Sequence, residues 1–195
     1  MSARRLPWAV MAGILAAVAA TQFAMGQPPI CTCGYVKLWE GEVWSSGNSQ
    51  HLTDWYTLSH LAHGFIFYAI LRWLRPGWSL AWRAVAALLI EGAWEVMENT
   101  PLVINRYRDV TASLDYFGDS ILNSFGDGVA MLAGFFLAAR LPVAVSVALV
   151  IGMEGLAAWM IRDNLALNVL MLLWPIESVR EWQMQGAPPS VRPPP

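Results

Sequence analysis

The chain has 195 residues, 56% of them hydrophobic and 13% charged, with eleven Trp and a formal net charge of −2. It is too apolar for an ordinary soluble domain, and its length fits one integral membrane domain rather than several. The scattered Lys and Arg make no basic stripe that could follow a phosphate backbone, which excludes nucleic acid as a partner.

Apolar stretches of about 18 residues cross roughly 30 Å of hydrocarbon. Five are predicted, at 8–25, 58–74, 78–97, 121–139 and 143–161, giving an all-α polytopic membrane helix bundle over residues 1–185. The first span follows Arg4 and Arg5, which place the N-terminus in the cytoplasm. Its alanine-rich run and Ala24-Met25-Gly26 also read as a signal peptide with a cleavage site.

Between the first two spans, residues 26–56 form an outward loop holding Cys31-Thr32-Cys33-Gly34, Trp39, Trp44 and Asn48-Ser49-Gln50-His51. The cysteines face an oxidising compartment. They read as an unusual disulfide, an intermolecular one or a soft-metal site, and the tryptophans as an interfacial belt.

The second span opens with His60 and His63, which at a spacing of three share a helical face. Glu91, Glu95 and Glu98 line one side of the third span. A polar connection at 99–118 follows, with Arg106-Tyr107-Arg108-Asp109 read as an exposed loop whose guanidiniums bind an anionic head group. Asp115, Asp119, Asn123 and Asp127 then recur at intervals of four into the fourth span, among glycines that permit close helix approach.

In the fifth span Glu154 stands alone and reads as an interhelical hydrogen-bonding group. The run at 165–175 is short for a span and reads as re-entrant or interfacial, with a tilted sixth span as the other reading. Residues 186–195 are Pro-rich and expected to be disordered.

Antiparallel neighbours bring the start of the second span, the end of the third and the start of the fourth to one outer level. A charge in hydrocarbon costs roughly 2.5 to 3.5 kcal/mol, so converging acids mark a polar site. His60, His63, Glu95, Glu98 and Asp119 are the candidate ligands for a divalent metal ion, zinc, iron or manganese. Glu95, Glu98, Asp115, Asp119 and Asn123 are the candidate catalytic or supporting groups, and Arg106 and Arg108 the substrate binders. Without a metal, crowded carboxylates could form an acid/base pair or a proton relay.

The string from Cys31 to Trp39, with Asn48-Ser49-Gln50-His51, Ser59-His60-Leu61-Ala62-His63-Gly64, Glu91 to Asn99 and Asp115 to Ser120, resembles an uncharacterised family of bacterial inner-membrane proteins, domain of unknown function 2585. Asp119-Ser120-Ile121-Leu122-Asn123-Ser124-Phe125-Gly126, with His63 and Glu95, more loosely resembles VanZ-like proteins. The first resemblance implies a bacterial inner-membrane location. The second implies envelope or lipid-linked chemistry. The expectation is a metal-dependent hydrolase of a lipid-linked or envelope substrate in the bilayer. The alternative is a non-catalytic proton or cation conduit or a structural subunit of an envelope complex.

Overall fold

In a computed structural model, residues 5–111 and 116–189 are described, and they contain eight helices. These are α1 (Leu6–Met25), α2 (Thr57–Leu74), α3 (Leu80–Glu98), α4 (Pro101–Val110), α5 (Ile121–Ala138), α6 (Val143–Ile161), α7 (Leu165–Leu173) and α8 (Glu177–Met184). Local chemistry sets their ends. Helix α1 stops at Gly26, whose φ of 93° suits a residue without Cβ. The Ser79, Ser120 and Asn164 side chains accept hydrogen bonds from free N–H groups at the starts of α3, α5 and α7.

Three helices are long and apolar enough to cross a membrane by length and composition: α1, α5 and α6. This corrects the expectation of five. Helices α2 and α3 match two predicted spans in position, but His60, His63, Arg72, Arg83, Glu91, Glu95 and Glu98 dilute their apolar character. At nine residues, α7 extends about 14 Å, well short of a bilayer. A second correction concerns 99–118: its Arg106–Asp109 segment lies on α4, which begins with Pro101 at the first helical position. Helix α8 was not anticipated.

Helices α2 and α5 approach so closely that a Cβ on Gly64 would strike the Met131 carbonyl, and one on Gly134 the Leu61 carbonyl. Helix α1 packs on α3 and α5 and so belongs to the bundle. Its Gln22 is fully buried and donates to Ser124 Oγ at 2.7 Å. The apolar core comprises Met11, Leu71, Ala84, Val85, Ala87, Leu88, Met131 and Phe135. Around the outside, α6 buries only Ala157 and Ile161 while Val143, Val147, Ile151 and Trp159 stay exposed, the pattern of a helix solvated by lipid.

Of the tail, Gly186 and Ala187 continue the C-terminal turn of α8, with Ala187 buried. Residues 190–195 lie outside the described residues.

Candidate His and carboxylate site

The ends of α1, α3 and α6 and the starts of α2, α5 and α7 meet at one pole of the bundle, where residues 26–56 fold over them. The starting turn of α5 is held by this loop: Ser120 donates from N to Ser49 O, and Ile121 and Leu122 donate to the carbonyls of Pro28 and Pro29. Asn123 Nδ2 donates to His51 O at 2.9 Å, and Ser120 Oγ to Gln50 O at 3.0 Å. Gly126 lets the Leu52 carbonyl sit directly on the helix. The four free N–H groups that begin any helix are thus largely consumed in fixing the loop.

Within the loop, Asp54 accepts from the N–H groups of Ser49 and Tyr56. Lys37 Nζ donates to Glu40 Oε2 at 2.6 Å, and burial alone would raise the Glu40 carboxyl, yet this bond, the Glu42 N–H and the lysine charge hold it below its usual range. Cys31 and Cys33 are joined as a disulfide, the first of the alternatives above. His51 stacks on Tyr35 and accepts from Lys37 N, so it supports the loop from beneath.

Beneath the loop, Glu91 is fully buried and grips both imidazoles by the same ring atom. Its Oε1 lies 2.5 Å from His60 Nδ1, and its Oε2 lies 3.0 Å from His63 Nδ1. This arrangement orients both rings and leaves each Nε2 free of Glu91. His60 Nε2 points toward Asp127 Oδ2 at 3.8 Å, while Asp127 Oδ1 accepts from Thr57 Oγ1 at 3.0 Å. Glu95 Oε1 lies 3.4 Å from His60 Nδ1, a nitrogen already held by Glu91. Although Glu95 is only 2% exposed, neither of its carboxylate oxygens has a hydrogen-bond partner.

Glu98 is half-buried and accepts from the Tyr107 hydroxyl. Asp119 accepts from Asn99 Nδ2 at 2.9 Å and from Tyr116 OH at 3.1 Å. Burial pushes the Asp119 carboxyl up to about 6 against these two hydrogen bonds, which favour the ionised form.

A cavity of about 140 Å³ opens above these groups. His60, His63, Glu98, Asp119, Asn123 and Asp127 form its polar wall, with Tyr56, Tyr107 and Tyr116 around them. No Lys or Arg is among its lining residues. Two triads at this pole have donor atoms within 4.8 Å of one another, His60, His63 and Glu91, and His60, Glu95 and Glu98; a third, Cys31, Cys33 and His51, lies in the loop with its two sulfurs joined as the disulfide. Metal bonds of about 2.1 Å set donors roughly 3 to 4 Å apart, so small side-chain rotations would close either of the first two on a cation.

The structure therefore brings together His60, His63, Glu95, Glu98, Asp119 and Asn123. Asp115 lies outside the described residues. Arg106 does not line this cavity: its Nε and one terminal nitrogen donate to Leu172 O at 3.1 and 3.0 Å. Arg108 donates to Tyr116 O at 2.6 Å and stacks on Phe117. Glu154 accepts from the N–H groups of Leu165 and Ala166, capping α7.

Glu91 and Asp127 lie on the faces their spacing predicts, yet stand outside the predicted ligand and catalytic set. The i, i+4 spacing of Glu91 with Glu95, opposite paired histidines, was the signal for the first. Tyr107 was hidden by reading α4 as a loop, and nothing in the sequence pointed to Tyr56.

Fold and site define a class: a helical protein with membrane-length helices that gathers imidazoles and carboxylates beneath a folded polar cap. Residues 22–185 match the family model described as protein of unknown function (DUF2585), and the chain belongs to that family. It is 61% identical over 171 residues to a UPF0314 protein of Sinorhizobium fredii, covering 88% of this chain and 87% of that one. A UPF0314 protein of Paracoccus denitrificans is 62% identical over 159 residues, 82% of each chain. One from Sphingopyxis alaskensis is 50% identical over 182 residues, 93% of this chain and 97% of its own. These names carry no activity. No solved structure matches the chain.

Proposed function

We propose that this protein is a bacterial inner-membrane, metal-dependent hydrolase of a lipid-linked or envelope substrate, with its N-terminus cytoplasmic and its capped pole facing outward. The observation that carries the reading is Glu95, a buried carboxylate with two unpartnered oxygens beside His60. Around it Glu91, Glu98, Asp119 and Asp127 converge, and among the described residues lining the cavity the basic side chains are the imidazoles of His60 and His63. A buried acid left in this state costs several kcal/mol unless a cation or proton completes it.

His60, His63, Glu95, Glu98 and Asp119 would hold the ion, zinc, iron or manganese, in keeping with a mixed nitrogen and oxygen donor set. Glu91 fixes the two rings, Asp127 flanks His60 Nε2, and Asn99 and Tyr116 orient Asp119. When bound, a divalent cation supplies Lewis acidity to water or to a substrate oxygen. The folded loop covers this pole, and Tyr56, Tyr107 and Tyr116 line the cavity beside its carboxylates. The VanZ-like pattern at Asp119-x-x-x-Asn123 supports an envelope substrate by resemblance alone.

The alternative, a conduit or structural subunit, has less support. A conduit needs a polar line from pole to pole, whereas below Glu91 the helices close on Leu88, Met131 and Phe135. Glu154 is occupied in capping α7.

Elemental analysis of detergent-purified protein tests the reading. Stoichiometric zinc, iron or manganese in the parent, lost in His63→Ala and in Glu95→Ala, is expected. A folded parent that retains no metal after incubation with each ion would remove the metal-dependent form of the proposal.

A further inference from the structure

The cavity changes chemistry across its width. Opposite the histidines and acids, its wall is built from Leu165, Val169 and Leu172 of α7 and from Trp94 of α3. Three of these, Trp94, Val169 and Leu172, also line a second and larger hollow of about 520 Å³ between α4 and α7. Its other walls are Leu102, Val103 and Leu173, with Asn105, Arg106 and Asp109 of α4 along one side; its surface is predominantly apolar, and Leu102 and Leu173 are 79% and 78% exposed. The polar cavity and the apolar groove are therefore neighbours across one shared wall.

We propose that this groove holds the hydrocarbon chain of a membrane lipid whose small polar head lies in the His60 cavity. The inference rests on the cavity being the head-group site of the proposed function, and it adds the substrate class and the route of entry. Adjacency points to the occupant: a molecule that reaches from the His60 cavity past the Trp94, Val169 and Leu172 side chains into the groove must be polar at one end and apolar along the rest. A long-chain lipid has that form, and the exposed apolar faces of α1, α5 and α6 put such molecules alongside. The acid-lined cavity tolerates an ammonium on the head and disfavours a bare anion.

Arg106 acquires a specific place in this arrangement. By donating twice to Leu172 O it ties α4 to the last turn of α7, where helix carbonyls lack internal partners. The guanidinium is thus a clasp between the two groove walls. Lipid entry between α4 and α7 requires the clasp to hold the walls in register without filling the space between them.

The test is photolabelling in liposomes with a phosphatidylethanolamine that carries a diazirine on its acyl chain, followed by mass spectrometric mapping. Label is expected on the segments 102–109 and 165–173, and excess unlabelled phosphatidylethanolamine should suppress it about tenfold, as for a saturable site. Label on the lipid-facing side of α6 should not be competed, because lipid there is merely solvent. Leu102→Trp, at a residue that lines the groove and not the His60 cavity, should lower the α4 and α7 label to a similar extent, with metal content unchanged. Leu173→Trp, also confined to the groove, serves if that variant unfolds.

Labelling of α4 and α7 that is no more competable than that of α6 overturns the inference, whatever the metal content. Competable labelling in a protein that binds no metal upholds the inference and counts against the hydrolase reading instead.

Discussion

Two buried acids at the same pole of this molecule have opposite surroundings. Asp163, in the turn between α6 and α7, accepts from Asn164 N, Tyr56 OH, Asn168 Nδ2 and Gln183 Nε2, at 2.9 to 3.2 Å. Glu95 accepts from nothing and sits among other acids. A buried charge surrounded by donors is finished, and its role is to tie α2, α7 and α8 to one point. A buried carboxyl without donors is unfinished, and under the proposed function a metal ion would complete it. The lesson is that burial and charge alone do not mark a functional group; the state of its hydrogen bonds does.

The largest effect that would break this contrast is on stability. Asp163→Ala removes the acceptor of four hydrogen bonds and leaves Asn164 N and Gln183 Nε2 without the one each makes there, so at about 1 to 3 kcal/mol for each polar group left unpaired a loss of about 2 to 6 kcal/mol is expected in reversible unfolding in detergent. Glu95→Gln replaces a buried carboxyl that accepts no hydrogen bond and should change stability by about 1 kcal/mol or less, while abolishing metal binding. If both variants lost equal stability, the two sites would be of one kind and the functional reading of Glu95 would lose its support.

A second effect, somewhat smaller, follows from pH. Burial pushes the Asp163 carboxyl up to about 7, against the hydrogen bonds from Asn164, Tyr56 and Asn168. Its folded value thus lies above its unfolded one, so between pH of about 4 and about 7 the folded state binds more protons. This part of the stability is fully present below the unfolded value and is lost as pH rises through 7, by up to a few kcal/mol. Asp163→Asn cannot titrate, so the difference between parent and variant isolates the residue. The parent should lose more of its melting temperature than the variant from pH 4.5 to 7.5. Parallel curves would mean that Asp163 titrates alike in both states.

These contrasts were only partly legible in the sequence. The spacing of His60 with His63, of Glu91 with Glu95 and Glu98, and of Asp119 with Asn123 and Asp127 fixed which groups share a face, because helical periodicity is local. Which acid meets which imidazole depends on the depth at which two helices cross, and only tertiary contact decides it. So Glu91, the residue that grips both rings, looked no different from its neighbours. The same polar residues that revealed the site lowered the apolar content of α2 and α3, which is why three helices rather than five reach membrane-spanning character. For Arg106 and Arg108 the sequence shows only charge and spacing; their partners, Leu172 O and Tyr116 O, lie on backbone that no motif records. Helix α4 was overlooked because its polar surface reads as a loop, although Thr100 and Pro101 mark a helix start.

Asp119 stands between the two extremes and gives the smallest but most discriminating effect. It lines the cavity, yet Tyr116 OH and the Asn99 side chain occupy one oxygen each, and its own N–H returns a bond to Asn99 Oδ1 at 2.7 Å. Removing the tyrosine hydroxyl in Tyr116→Phe leaves the Asn99 exchange intact, so the expected loss is about 1 kcal/mol or less in unfolding. If Asp119 only braces the segment before α5, that loss is the whole consequence, and metal content and lipid labelling stay at the parent's level. If Asp119 serves the cavity, loosening one of its two supports disturbs the donor set, and metal affinity falls by more than the stability change accounts for. Tyr107→Phe, which frees Glu98 in the same way, provides the matched control on a carboxylate from the other side of the cavity. A drop in affinity for both variants beside unchanged folding would place Asp119 with Glu95 rather than with Asp163.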